Sequence, residues 1–288
     1  MDVVRAKVMG YCMGVRRAVE CARKALEQYP DKSVHTLGPL IHNPAALAAL
    51  AAQGLRMHDG GDLSGLDSQC VAVIRAHGVP PSVRRQLNHA GCAIVDATCP
   101  RVLLSQRRAA EYSARGYHVF LAGDRNHGEV TGIAGCTEDR DTGEPRCTVI
   151  ASVAEAAAYS GNPTEPCVLL SQTTISRGEY DAISAVLKEK LPCLEILDTV
   201  CPATTERQEA LAELARVVDG ILVIGGKSSA NNQRLFMAAR KLCGRSAFIE
   251  DASGIPQEFF SLQRVGLTAG ASTPDNIIDG VERALLRR

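Results

Sequence analysis

A cysteine stands at the same kind of corner three times in this sequence. The pentapeptides "DATCP" at 96–100 and "DTVCP" at 198–202 each follow a short apolar run and precede a segment of helical periodicity. Cys12 in "VMGYCMGVRRAVE" likewise ends an apolar run and begins a helical pattern. A pattern that recurs along a chain predicts a recurring structural unit, so this repetition restricts the possible folds more than composition does.

Two further corners follow each cysteine, at about 28 to 30 and about 65 to 75 residues. Each corner again joins an apolar run to a helical segment through a polar loop. The loops carry side chains that can bind ligands or move protons: His42, His127, Glu129, Ser229 and Asn231 at the first corners, and His77, Thr173 and Ser272 at the second. Any α/β fold repeats strands and helices, so the alternation alone is not significant. It does not explain why all nine corners carry side chains that can bind ligands or transfer protons.

Apolar runs of strand length alternate with helical segments along the whole chain, which predicts an α/β fold with mostly parallel sheets. The runs "HVFLAG", "CVLLSQ" and "ILVIGG" are strand candidates, and "GVRRAVECARKALEQ" and "ERQEALAELARVV" are helix candidates. The repeat predicts a trefoil of three α/β units, at 13–99, at 100–201, and at 202–288 together with 1–12. Around a pseudo-threefold axis, the ligand-binding carboxyl ends of the strands would face one centre.

The charge balance and the hydropathy exclude several classes of function. The 288 residues include 32 basic and 32 acidic side chains, so no overall positive charge favours nucleic acid. No apolar run reaches the ~20 residues that span a bilayer, and the N-terminus lacks the apolar core of a secretory signal. We therefore expect a cytoplasmic protein without a nucleic-acid or membrane partner, whose eleven cysteines are mostly reduced, buried thiols.

Cys12, Cys99 and Cys201 would meet at the centre of a trefoil and could hold one metal centre there. Three thiolates with a histidine or a water suit a zinc ion. Thiolates are also the usual ligands of iron–sulfur clusters, so the residues alone leave both alternatives open. Three cysteines on a four-iron cluster would leave one iron open to a substrate, as catalysis requires.

The remaining corners suit an anion and a proton donor. Small polar residues and backbone N–H groups near helix starts bind phosphate groups. Glu129 is the only carboxylate among these corner residues, which makes it the candidate proton donor. Asn43 and Thr273 each precede a proline that can begin a helix, and we expect both to be helix caps. The stretch "IGGKSSA" lacks the first glycine of a phosphate-binding loop, so it does not predict a nucleotide site.

Eight motifs, in this order and spacing, resemble the LytB/IspH family of 4-hydroxy-3-methylbut-2-enyl diphosphate reductases. They are "GYCMGVRRAV", "GPLIHNP", "RAHGVP", "DATCP", "HGEVTG", "QTT", "CPATTERQEA" and "GLTAGASTPD", and they extend over essentially the whole chain. The resemblance implies a trefoil around a central [4Fe-4S] cluster. It also implies reductive removal of the allylic hydroxyl, which is the last step of the methylerythritol phosphate route to isopentenyl and dimethylallyl diphosphates.

Carried over by motif position, the family's site residues fall on the corner residues. The resemblance implies that Cys12, Cys99 and Cys201 hold the cluster. It implies that the diphosphate substrate is bound by His42, His77, Ser229, Asn231 and Ser272, and that protons come from Glu129 with the help of His127 and Thr173, which also contact the substrate. An electron donor such as ferredoxin or flavodoxin is implied as a partner.

Two positions depart from the family pattern. Gly128 stands where the family usually has proline after the relay histidine, and glycine is the more mobile residue. Ala230 stands where the family has the second of two serines, with Ser228 two positions before it. Besides the reductase, the sequence leaves open a paralogue that reduces or dehydrates another phosphorylated alcohol, and a non-catalytic iron–sulfur or zinc sensor. Glu129 and the phosphate-type corners speak against the sensor, which needs neither.

Overall fold

Strands and helices alternate throughout residues 1–59, 61–139 and 142–287, which the computed structural model describes. The strands are β1 (Asp2–Arg5), β2 (Ser33–Leu37), β3 (Arg56–His58), β4 (Cys70–Ile74), β5 (Ala93–Asp96), β6 (His118–Ala122), β7 (Cys147–Ile150), β8 (Cys167–Ser171), β9 (Leu194–Ile196), β10 (Gly220–Ile224), β11 (Ser246–Ile249) and β12 (Arg264–Ala269). The α-helices are α1 (Met13–Gln28), α2 (Pro44–Ala51), α3 (Pro81–His89), α4 (Pro100–Ala114), α5 (Gly128–Ala134), α6 (Val153–Ala158), α7 (Arg177–Lys190), α8 (Pro202–Ala215), α9 (Ala230–Leu242) and α10 (Asp275–Leu286).

The strands form three four-stranded sheets in which every pairing is parallel. The strand orders are β3-β2-β4-β5, β7-β6-β8-β9 and β11-β10-β12-β1. All three follow one rule: the first strand lies between the second and the third, and the fourth is at the edge beside the third. In the last sheet, β1 takes the place of the fourth strand and pairs with β12. The α/β fold with parallel sheets that the alternation predicts is confirmed.

The chain divides into two compact units. The larger one contains residues 17–40 and 54–201, and therefore the sheets of β2 to β5 and of β6 to β9. The smaller one contains residues 1–16, 41–53 and 202–288, and therefore the sheet of β10 to β12 with β1. The limits of the three units that the sequence repeat suggests stay a prediction.

In the larger unit, helices cover both faces of the sheet of β6 to β9. Phe120 and Leu169 pack with the apolar side of α7, and Val119 and Val168 pack with α4 and α5 on the opposite face. Neighbouring residues of a strand point to opposite faces, so a strand buried on both faces must be apolar throughout. This explains why "HVFLAG" and "CVLLSQ" are continuous apolar runs and do not alternate with polar residues.

The smaller unit has the same layering. Leu222 and Leu267 pack against α10 on one face of its sheet, and Ile221 and Val223 pack with residues of α8 and α9 on the other. Because both faces of the sheet are buried, its strands favour apolar side chains. Polar residues are therefore placed mainly at the strand ends, where the loops begin.

The two predicted caps have different outcomes. Asn43 caps α2, because its side chain accepts a hydrogen bond from the N–H of Ala46 at 3.0 Å. The prediction for Thr273 is wrong. Its buried hydroxyl donates to the carbonyl of Ile224 at 2.9 Å, and Pro274 occupies the cap position of α10. A strand-end carbonyl within reach competes with the helix N-terminus for the one hydroxyl. Among the residues described, no helix is both long and apolar enough to cross a membrane.

Candidate active site

All nine polar corners follow strands at the carboxyl end of their sheet. In each sheet the first and third strands are neighbours, and in the sheets of β2 to β5 and of β6 to β9 the chain continues from them to strands on opposite sides. Such a switch in direction opens a crevice between the loops that follow the two strands, which is the usual ligand site of parallel α/β sheets. The cysteine corners follow the fourth strand, next to the third, so the three corners of the sheet of β6 to β9 lie side by side, as do those of the sheet of β10 to β12 with β1.

The corner before Cys99 is formed by an Asp-x-Thr turn. Asp96 accepts hydrogen bonds from the N–H of Thr98 at 3.0 Å and from its hydroxyl at 2.6 Å. Burial raises the pKa of Asp96, but these and other hydrogen bonds outweigh it and hold the pKa below its usual value. The N–H of Cys99 then donates to the carbonyl of Ala76 at 3.0 Å, and a proline without an N–H begins α4.

The other two cysteines are held by the same backbone hydrogen bond. The N–H of Cys201 donates to the carbonyl of Thr173 at 3.0 Å, and the N–H of Cys12 donates to the carbonyl of Ala271 at 3.2 Å. In each sheet the acceptor is therefore a predicted substrate-binding residue after the third strand, or the residue just before one. Each cysteine directly precedes a helix, each is partly exposed, and none forms a disulfide.

Glu129 and Thr173 form a buried pair in the larger unit. One carboxylate oxygen of Glu129 accepts the N–H of Thr173 at 2.6 Å, and the other accepts its hydroxyl at 2.8 Å. Glu129 is 1% exposed and Thr173 is 7% exposed, so both hydrogen bonds are shielded from water. The carboxyl group is thereby held in one orientation, which is what a proton donor needs.

Two histidines lie beside this pair in the larger unit. His127 caps α5, because its Nδ1 accepts the N–H of Glu129 at 3.2 Å. In the neutral ring the proton is then on Nε2, which can donate to a ligand. The ring of His77 packs edge-on against that of His127, with 4.9 Å between the ring centres. These contacts link the loops that follow β4 and β6.

In the larger unit, six predicted site residues therefore form one connected set. The connections run from Cys99 through the loop of His77 to His127, then to Glu129, Thr173 and Cys201. Every link is a hydrogen bond, a ring contact or an adjacent peptide.

The smaller unit contains the other five predicted residues: Cys12, His42, Ser229, Asn231 and Ser272. The hydroxyl of Ser272 donates to the carbonyl of His42 at 3.1 Å. Gly226 lies against the same peptide, where an added Cβ would be 3.2 Å from the carbonyl carbon of His42 and closer still to its oxygen. The absence of a side chain at 226 is therefore what lets the His42 loop approach the end of β10.

The start of α9 offers a hydrogen-bond donor. Ser229 caps the helix by accepting the N–H of Asn232, whose side chain donates to the carbonyl of Gly226 at 3.0 Å. The side-chain amide nitrogen of Asn231 is buried and has no acceptor within the described part of the chain. A buried donor without a partner is costly, and an acceptor on a bound ligand would remove that cost. Ser228 is exposed and outside the helix.

Two residues near the site in the larger unit, Gln172 and Arg75, are not among those that the sequence predicts. The buried side chain of Gln172 accepts the N–H of Asp124 and donates to the hydroxyl of Thr174, both at 2.8 Å, and so joins the loops after β6 and β8. Arg75, which follows β4, reaches the segment around Gly128. Their signal in the sequence is their place as the first polar residue after a buried strand.

The fold and the site together define an α/β enzyme whose three parallel sheets each present a cysteine and polar side chains at their carboxyl ends. The family described as LytB protein matches residues 3–286. The chain belongs to the LytB family.

Two relatives that carry the name of a reductase are similar to this chain over nearly its full length. The 4-hydroxy-3-methylbut-2-enyl diphosphate reductase of Treponema denticola is 47% identical over 294 residues, covering 99% of each chain. The enzyme of the same name from a Thermoanaerobacter species is 36% identical, covering 98% of this chain and 95% of its own.

Solved structures of such reductases share the fold. One, described as the terminal enzyme of the non-mevalonate pathway, matches with a TM-score of 0.73 and 31% identity over 100% of both chains. The Plasmodium falciparum reductase matches with a TM-score of 0.89 over 98% of this chain and 87% of its own, and at 23% identity it bears on the fold alone.

The cysteine corners fit an iron–sulfur group by their chemistry. Thiolate sulfur is the usual ligand of such clusters, and each of the three cysteines is reduced, partly exposed and placed just before a helix. The LytB family is an iron–sulfur enzyme family, and this donor set agrees with that property.

Proposed function

We infer that this protein is an iron–sulfur oxidoreductase that converts 4-hydroxy-3-methylbut-2-enyl diphosphate into isopentenyl and dimethylallyl diphosphates. The substrate's allylic C–O bond breaks, two electrons and two protons are taken up, a C–H bond forms and water leaves. The observation that carries this conclusion is the Glu129–Thr173 pair, because it places a buried, oriented acid two hydrogen bonds from Cys201, with Thr173 as the residue between them. Full-length relatives that carry the reductase name support it.

We propose that Cys12, Cys99 and Cys201 together hold a [4Fe-4S] cluster through three thiolates. When bound, such a cluster supplies the two electrons one at a time and a Lewis-acidic iron with an open position. The equivalent placement of the three cysteines at the fourth-strand corners supports a common role. Ferredoxin or flavodoxin is the proposed electron donor, and the cytoplasm, where thiols stay reduced, is the proposed location.

The protons are proposed to come from Glu129. Its two hydrogen bonds from Thr173 fix the direction of the carboxyl group, so a proton on it is delivered along a defined line. The ring of His127 accepts the backbone N–H of Glu129 and so lies next to this residue. We propose that His127 returns a proton to the Glu129 carboxylate after each transfer. The burial of Glu129 excludes bulk water, which would otherwise compete as the proton source.

The diphosphate is proposed to bind to His42, His77, Ser229, Asn231 and Ser272, with His127 and Thr173 also in contact with the substrate. The buried amide donor of Asn231, which has no acceptor among the described residues, supports this role. The cap at Ser229 supports it as well, since α9 has 13 residues and its first turn directs backbone N–H groups outward.

A substrate series tests the proposed function. The anaerobically reconstituted protein, with a chemical reductant, is given the diphosphate, the corresponding monophosphate and the free alcohol. We expect conversion of the diphosphate alone, with both five-carbon diphosphates as products. Conversion of a different phosphorylated alcohol in preference would identify a paralogue, and an intact cluster without any turnover would identify a sensor.

A further inference from the structure

Arg75 is a partly buried cation at the end of β4, two residues before His77. Its Nε atom is inaccessible to solvent and has no hydrogen-bond partner among the described residues. No ion pair of its guanidinium is found within that part of the chain either. By contrast, Arg5 pairs with Asp279 and Arg177 pairs with Asp198. Burial lowers the pKa of Arg75, and no neighbouring carboxylate counteracts this.

Two glycines make room for this guanidinium. An added Cβ at Gly38, after β2, would lie 2.7 Å from Nη1 of Arg75. An added Cβ at Gly128, after β6, would lie 2.8 Å from Cζ and closer still to Nη2. Real Cβ atoms do not approach other atoms so closely, so Arg75 occupies space that any other residue at these positions would need. Gly38 also has a φ of 74°, which favours glycine for a second reason.

The position of Gly128 connects this cation to the site. Gly128 lies between His127 and Glu129 in the sequence, so the positive charge of Arg75 is placed at the loop of the proposed proton donor. Gly128 is also one of the two places where this chain departs from the family pattern, which has a proline there. A proline carries a Cβ, so it could not accompany Arg75 in its present position. Gly128 therefore leaves the space that Arg75 occupies in this structure.

We propose that Arg75 is a further binding residue for the substrate, and that its guanidinium pairs with a phosphate oxygen of the diphosphate. The proposal rests on the proposed function, because it names the diphosphate as the anion. A guanidinium that is withdrawn from water without a carboxylate partner carries an uncompensated desolvation cost. A phosphate that enters the site supplies the missing negative charge and offsets that cost. Its planar fork of N–H donors matches phosphate oxygens better than an ammonium group does. Loss of the side chain removes a hydrogen bond to a charged group.

The test measures anion binding as well as turnover, on anaerobically reconstituted holoenzyme at fixed ionic strength. For Arg75→Gln we expect the inhibition constant of inorganic diphosphate and the substrate KM to rise by roughly 10- to 100-fold, with a smaller change in kcat. Arg75→Lys keeps the charge but lacks the planar fork of N–H donors, so its inhibition constant and KM should lie between those of the parent and those of Arg75→Gln. Arg107→Gln removes an equal charge from an exposed site on α4 and is the matched control, with no expected change.

A second pair of variants tests whether the guanidinium acts from its present place. Gly128→Ala forces Arg75 to move without removing its charge, so it should weaken diphosphate binding in the parent. It should have little further effect in the Arg75→Gln background, where there is no guanidinium to displace. Equal weakening in both backgrounds would contradict the proposal, because the effect would then act through the Glu129 loop.

The outcomes separate this proposal from the proposed function. If the parent converts the substrate but Arg75→Gln binds inorganic diphosphate as tightly as the parent does, Arg75 has no role in binding and the proposed function stands. If only the unfolding temperature of Arg75→Gln falls while its inhibition constant is unchanged, Arg75 is structural. If the parent with an intact cluster neither binds diphosphate nor converts the substrate, both proposals are wrong.

Discussion

Replacing Glu129 by glutamine removes an acid while it keeps the shape of the side chain. In the parent, both carboxylate oxygens accept hydrogen bonds from Thr173, at 2.6 and 2.8 Å. In Glu129→Gln one of these donors faces an NH₂ group and loses its acceptor. A hydrogen bond to a charged group contributes about 1.5–3 kcal/mol. A neutral amide is cheaper to bury than a carboxylate, so we expect the free energy of unfolding to fall by less than that.

The expected loss of activity is larger than this loss of stability. General acid catalysis contributes roughly 10²- to 10⁴-fold to a rate. At 1.36 kcal/mol for each factor of ten, that corresponds to about 3–5 kcal/mol in the activation free energy. Glu129→Gln should therefore lower kcat by roughly 10²- to 10⁴-fold. The cluster content and the affinity for diphosphate should stay near those of the parent.

The assay is anaerobic turnover with a chemical reductant, together with iron and sulfide content and the inhibition constant of inorganic diphosphate. Glu189→Gln, which makes the same change at an exposed position on α7, is the matched control and should behave as the parent. A Glu129→Gln enzyme with kcat within roughly tenfold of the parent would refute the assignment of Glu129 as the proton donor. Lost diphosphate binding with kcat retained at saturation would make it a binding residue.

Serine in place of each of the three corner cysteines should abolish cluster assembly and turnover, whereas Cys243→Ser should leave iron and sulfide content unchanged; one corner variant with full cluster content would remove that cysteine from the ligand set. Gly226→Ala should push the His42 peptide away, destabilise the protein by about 1–3 kcal/mol and weaken diphosphate binding; denaturant unfolding and the inhibition constant measure both effects, and unchanged values would contradict the close packing. Ala230→Ser should tighten diphosphate binding by at most ~10- to 100-fold if the added hydroxyl reaches the anion, and weaker binding in this variant would contradict that contact.

The sequence was sufficient to predict the architecture because the signals for it are local. Strands buried on both faces are continuous apolar runs, and the strand-to-helix corners are marked by polar residues and prolines. Residues 221–224 of the run "ILVIGG" lie in β10 for this reason, and Cys99 and Cys201 stand directly before the prolines that begin α4 and α8. The repeat then indicated equivalent positions, and the three sheets have one strand order.

Contacts between distant residues could not be predicted in the same way. Glu129 and Thr173 are separated by 44 residues, and nothing in either segment specifies that both carboxylate oxygens face the same residue. The position of Arg75 against Gly128 depends on side-chain packing and on which loops are neighbours. The proline after Thr273 predicts a helix cap, but the Thr273 hydroxyl donates to the carbonyl of Ile224 at the end of β10. Local pattern gives the candidate partners, and tertiary packing decides among them.

The state of the iron during substrate binding shows whether three cysteines hold a [4Fe-4S] cluster with one iron open to the substrate. Anaerobically reconstituted protein enriched in ⁵⁷Fe is examined by Mössbauer spectroscopy before and after addition of the diphosphate substrate. We expect iron and sulfide in the proportion of a [4Fe-4S] cluster, with the signal of one iron changed by the substrate and the others unaffected, since three cysteines leave one iron open. A zinc ion in place of iron, or a cluster whose irons all ignore the substrate, would contradict this expectation.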